Sequence, residues 1–225
     1  MSHDINLKEL ERRAWRSVFQ DGLWDIYLGL LLLAMAIGAL LSDAGIASET
    51  GSLLAHVGLV VLATLGLWAG KRFITLPRLG RVKFGSKGKA RKMKAMLLLV
   101  FSALLGAALF VFIWLILRQG RTEGLPLQLI VPAIWSVNAL VVFSLGAYFL
   151  DYERLYLIGV MYAVAVPADR LLRELVGLDL TFLAFGVPAA VILITGALIL
   201  VRFLRDYPVP EEEVSPAEEV LNVRQ

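Results

Sequence analysis

The chain has 225 residues, 59% of them hydrophobic and 18% charged, with a mean hydropathy of +0.76. A soluble domain carries roughly a quarter of its residues as charges, so this composition argues against a water-soluble fold. The absence of cysteine excludes disulfides and thiolate metal sites. The net charge of +3 hides a polarised distribution, so the pI near 9.3 gives no reason to expect nucleic-acid binding.

The N-terminal segment, residues 1–22, reads as an amphipathic cytoplasmic or interfacial helix. Asn6 and Glu9 have capping-box spacing, and Leu7, Leu10, Ala14, Trp15 and Val18 recur at helical intervals. The opposite face carries Lys8, Arg12, Arg13 and Arg16, a pattern suited to the membrane interface.

Residues 23–41, 53–70, 95–117, 127–150 and 180–201 form apolar blocks of about the 17–25 residues needed to cross hydrocarbon. Tyrosines apart, only Asp25 and His56 ionise within them. Lipid leaves backbone N–H and C=O groups no external partner, so these blocks are predicted as helices. The first lacks an A-x-A cleavage site after it and reads as a retained span.

The second block ends at Gly70, a predicted C-cap, followed by a basic loop over residues 71–94. Ten of the 22 Lys and Arg residues lie there, with no acid: Lys71, Arg72, Arg78, Arg81, Lys83, Lys87, Lys89, Arg91, Lys92 and Lys94. Such a cluster stays cytoplasmic, which places the N-terminus on that side too. These ten cations are the candidate contacts for anionic lipid or a partner. Arg81 to Phe84 alternates like a short strand. Gly80-x-x-x-x-Gly85-Ser86-Lys87 inverts the last two residues of a phosphate-binding loop and follows an apolar span rather than a strand, so it carries no nucleotide reading.

Residues 155–168, from Leu155 through Ala168, are ambiguous. Fourteen apolar residues make ~21 Å of helix, short of the hydrocarbon width. Pro167 and an amphipathic stretch ending at Gly177 follow. A short span with a kinked extension, a span plus an interfacial helix, or a re-entrant segment all fit. Six spans is the preferred count, or five if this segment is re-entrant. The fold expected is therefore an all-α polytopic transmembrane bundle over residues 23–204, with an acidic disordered tail over 205–225.

Candidate polar groups within the membrane are Asp25 and Asn138. Asp21 and Asp25 suit the positive end of a helix dipole, although a carboxylate at such depth can also mark an ion path. Asn138 is expected to bond across to a neighbouring helix. Gly66-x-x-x-Gly70 and Ser102-x-x-x-Gly106 offer close-packing faces for the bundle or for a homo-oligomer. Asp169, Arg170, Arg173 and Glu174 read as a solvated helix face. No nucleophile–base set, metal-ligand spacing or buried carboxylate pair emerges, so no enzymatic role, cofactor or metal is expected.

The segments Arg16-Ser-Val-Phe-Gln-Asp-Gly-Leu-Trp-Asp-Ile and Thr75-Leu-Pro-Arg-Leu-Gly-Arg-Val-Lys-Phe resemble parts of uncharacterised prokaryotic multi-pass membrane proteins. That resemblance implies no activity, and no site residue is carried over from it. The expected role is interaction of the basic cytoplasmic face with anionic lipid or a partner. The alternative is a small-solute or ion transporter or channel that uses Asp25 and Asn138.

Overall fold

The computed structural model describes residues 19–79, 86–118, 127–177 and 180–208. These residues form an all-α bundle. Its helices are α1 (Leu23–Asp43), α2 (Glu49–Gly70), α3 (Ser86–Arg118), α4 (Leu127–Leu150), α5 (Arg154–Val176) and α6 (Thr181–Asp206). Among the described residues five helical stretches are long and apolar enough to cross a membrane: Leu23–Asp43, Thr50–Arg78, Leu129–Leu150, Arg154–Leu175 and Thr181–Asp206. The chain is thus a membrane protein. α3 has 33 residues, about 50 Å at ~1.5 Å per residue, and includes the charge-free run 95–117.

Neighbours in space run α2, α1, α6, α5, α4, α3, so the first and last spans meet at the centre. Lipid offers no hydrophobic drive between helices, and close approach must come from small residues and polar bonds. α1 and α6 lie antiparallel: Gly22 abuts the Gly196 carbonyl, and Gly29 sits under Leu193. A Cβ on Gly196 would fall 2.9 Å from that of Asp25. In the α4–α5 pair, a Cβ on Gly159 would lie 2.5 Å from the Phe143 Cβ. These glycines, and not the two spaced pairs singled out in the sequence, make the tight contacts. Gly66 and Gly106 face open space, and of the three glycines in those pairs only Gly70 meets a neighbouring helix closely, against Leu23.

Several elements differ from expectation. Gly70 does not end the second span, because its backbone is helical (φ −57°, ψ −46°). The chain continues through a π-helical turn, Lys71–Thr75, and a last α-turn, Leu76–Leu79. Residues 86–94 are the start of α3, so most of the expected basic loop is helix. The strand-like Arg81 to Phe84 lies outside the described residues, as do residues 1–18 of the amphipathic segment and the tail from 209. Phe19 to Asp21 form a turn, so no helix reaches Gln20.

Residues 155–168 and the stretch beyond belong to one continuous helix, α5, of 23 residues, long and apolar enough to cross a membrane. It stops at Gly177, whose left-handed backbone (φ 69°) terminates it as the sequence implied. α5 survives Pro167 for a specific reason. Proline has no N–H to give the Ala163 carbonyl four residues earlier. Ser136 Oγ of α4 donates to that carbonyl at 2.7 Å, and Trp135 Nε1 donates to the adjacent Tyr162 carbonyl at 2.7 Å. A neighbouring helix thus satisfies what the proline leaves open. Asn138 behaves as expected, its Oδ1 accepting from Ser102 Oγ of α3 at 3.2 Å.

Ser136→Ala should cost about 0.5–1.5 kcal/mol in detergent unfolding, the range for interhelical bonds in membranes. In a Pro167→Ala background, where residue 167 regains its N–H, the same change should cost much less. A double-mutant cycle measures the difference.

Candidate functional site

The ionisable groups of the bundle gather at its two ends. One end holds the start of α1, the π-helical turn after α2 and the start of α5. Gly22, left-handed at φ 74°, turns the chain into α1 and leaves Asp21 just before the helix. Asp21 Oδ1 accepts the Leu23 N–H at 3.2 Å. Its Oδ2 accepts from Lys71 Nζ at 2.6 Å and Thr75 Oγ1 at 2.5 Å. The π turn, in which the Leu76 N–H reaches back to the Lys71 carbonyl, carries both donors that meet this one oxygen. Asp21 is fully buried, so without these three donors its charge would be prohibitive.

Asp25, one turn on, is 2% exposed. Its Oδ1 accepts from the Tyr152 hydroxyl at 2.5 Å, and Arg154 Nη1 pairs with Oδ2 at 3.1 Å, close enough for an ion pair but not aligned as a hydrogen bond. Arg154 Nη2 also donates to the Phe19 carbonyl. The rings stack into the same joint: Phe19 lies 5.2 Å from Tyr152, and the Arg154 guanidinium 5.2 Å over the Tyr152 ring. Burial, reinforced by the Asp25 carboxylate, pushes the Tyr152 phenol well above its ordinary pKa, so it remains a donor. Two carboxylates, Asp21 just before α1 and Asp25 in its first turn, therefore fasten the ends of α2 and α5.

The opposite end has a smaller joint. Asp169 is buried rather than on a solvated face, which corrects the sequence reading. The reason is that the start of α6 folds against it. Thr181 Oγ1 donates to Asp169 Oδ1 at 2.7 Å, Arg173 Nε pairs with the same carboxylate at 3.2 Å, and Arg173 Nη2 donates to Thr181 Oγ1. Arg170 and Glu174 are exposed, as expected.

The ten candidate cations do not share one fate. Lys71 is committed to Asp21, Arg72 lies over the Trp68 ring at 5.5 Å, and Arg78 donates to the Ile74 carbonyl at 3.0 Å. Arg81 and Lys83 lie outside the described residues. Lys87, Lys89, Arg91 and Lys92 are on the first turns of α3, and Lys94 is exposed there. Of the candidate intramembrane polar groups, Asp25 is in the joint and Asn138 is well apart from it, in the α3–α4 contact. Sequence reasoning missed Thr75, Tyr152 and Arg154. The one available signal was that Asp21, Asp25, Lys71 and Arg154 all fall at span ends on the same side. Among the described residues no group of three or more His, Cys, Asp or Glu side chains can hold a metal ion. No protein-family model, curated protein or solved structure matches the chain.

Arg154→Leu leaves the Asp25 carboxylate buried with Tyr152 alone and should cost about 2–3 kcal/mol, since truncating one partner strands the other charge. Adding Asp25→Asn to Arg154→Leu should recover part of that loss in thermal unfolding of the detergent-solubilised protein.

Proposed function

We propose that this is a multi-pass plasma-membrane protein that acts by interaction and not by catalysis. Its N-terminus and basic segment face the cytoplasm, where the segment binds anionic headgroups. The observation that carries this reading is the length of α3. Its apolar run covers 95–117, and the nine residues before it, with five cations, continue the same helix. The cations are therefore held on a rod that leaves the hydrocarbon at headgroup level. Each can contribute ~1 kcal/mol of attraction to an anionic leaflet. Since Lys71 is engaged with Asp21, the attraction rests on the positions from 81 to 94.

Transport through Asp25 is the rival reading, and the geometry speaks against it. An ion path needs water or solute at the carboxylate, whereas this one is 2% exposed and closed in by Tyr152, Arg154 and Gly196.

Detergent-solubilised protein should retain phosphatidylglycerol over phosphatidylcholine at low salt, with the preference shrinking as salt rises. Replacing Lys87, Lys89, Arg91 and Lys92 by Gln should weaken that retention about tenfold or more, given the ~1 kcal/mol per cation. Undiminished retention would refute the reading. Ion flux in reconstituted liposomes that disappears on Asp25→Asn would replace it with transport.

A further inference from the structure

Asn138 stands at the middle of α4, a span of 24 residues, and so near the midplane of the bilayer. Its Oδ1 accepts from Ser102 Oγ of α3 at 3.2 Å, which occupies one of the two lone pairs of that oxygen. The two N–H donors on Nδ2 meet no acceptor among the described residues. Neither water nor lipid ester groups reach that depth, so only another protein group can satisfy them. We propose that the acceptor is the partner subunit's Asn138, and that the chain forms a homodimer joined along the α3–α4 edge.

Symmetry is what favours a second copy over a foreign chain. All copies insert with one orientation, so a two-fold axis relating them runs along the membrane normal and brings equal depths together. A carboxamide carries donors and an acceptor on one group, and two of them facing each other exchange N–H···O bonds reciprocally. Each Oδ1 then accepts once from Ser102 and once across the interface. No further polar group has to be supplied at the midplane.

The surroundings leave this edge open. Asn138 is half-buried, and Val141 and Leu145, one and two turns further along the same side of α4, are 48% and 39% exposed. α3 packs essentially on α4 alone and has no buried side chain among those described. Gly106, one turn after Ser102, faces open space, since a Cβ there would touch nothing within 4 Å. That gap lets a second backbone come near the amide. α2 is equally open to lipid, but Thr64 on its exposed side donates back to the Val60 carbonyl of the same helix. The dimer does not depend on what the basic segment binds.

The chain has no cysteine of its own, so introduced ones report contacts cleanly. In phosphatidylcholine liposomes, mild oxidation should cross-link full-length Val141→Cys as a dimer and leave Leu62→Cys, on the outer side of α2, as a monomer. Energy transfer between chains labelled at Ile46→Cys should follow a monomer–dimer equilibrium as the protein is diluted in lipid. Asn138→Leu should weaken the dimer about tenfold, the scale of two interhelical bonds at membrane depth. Asn138→Gln, which keeps the amide, should preserve most of it. Ser102→Ala removes only the bond within the chain and should leave the dimer intact, which separates pairing across the interface from the seating of α3. Undiminished dimerisation of Asn138→Leu, equal losses in Asn138→Leu and Ser102→Ala, or monomers at every dilution would overturn the proposal. Cross-linking of Val141→Cys in cells to a different membrane protein, with no homodimer, would give the donors to a foreign partner and overturn the second copy.

Discussion

Two carboxylates with almost no exposure to solvent set the terms for the rest of this molecule. Asp21 and Asp25 lie at the start of one span, in surroundings where an unpaired charge would cost several kcal/mol. Each must be met by donors, and α1 gives Asp21 the Leu23 N–H. The others come from Lys71 and Thr75, 50 and 54 residues away, and from Tyr152, 127 residues away, with Arg154 beside it. Satisfying the carboxylates therefore brings together three helix ends that the chain reaches at very different times. Because Phe19, Tyr152 and Arg154 also stack there, the joint is packed as well as paired.

Glycine makes this possible. Carboxylates on α1 can be buried only if α6 comes close, and Gly22 and Gly196 let the two backbones approach beside Asp25. The smaller joint of Asp169, Arg173 and Thr181 fastens α5 to α6 at the far end. Between the two joints the bundle depends on small residues and on interhelical bonds such as Ser136 to Ala163 and Tyr162 to Leu28. Large apolar side chains such as Leu54, Leu62 and Trp68 of α2 and Leu97, Leu104 and Phe112 of α3 are left outward, as a lipid-facing surface requires. These two helices are the outermost in the packing order, and each has essentially one neighbour.

Much of this was legible in the sequence, because hydropathy blocks report directly on spans. The presence of the long apolar helices, the stop at Gly177 and the cross-helix role of Asn138 followed from local rules. What failed was local inference about continuity. Gly70 looked like a terminus, yet a glycine with a helical backbone is only a gap that Leu23 fills. Pro167 left three continuations open, and the choice among them depends on α4, which satisfies the carbonyl the proline frees, a compensation invisible in one segment. Asp25 was singled out for its depth, while its partners were not, since tertiary contacts over such separations leave no spacing pattern. Nothing in the residue types of 71–75 announces the π turn that carries Lys71 and Thr75 to one oxygen.

The account requires that the starts of α1 and α5 and the end of α2 emerge on one side of the membrane. The chain has no cysteine, so single cysteines can report this cleanly. A membrane-impermeant thiol reagent applied to intact cells should label cysteines placed at Ile46 and Gly177. It should leave cysteines at Gln20, Arg72 and Glu153 unlabelled until the membrane is opened. Labelling that puts Glu153 and Gln20 on opposite sides would contradict the account, because Asp25 could then not meet Tyr152 and Arg154 in the membrane.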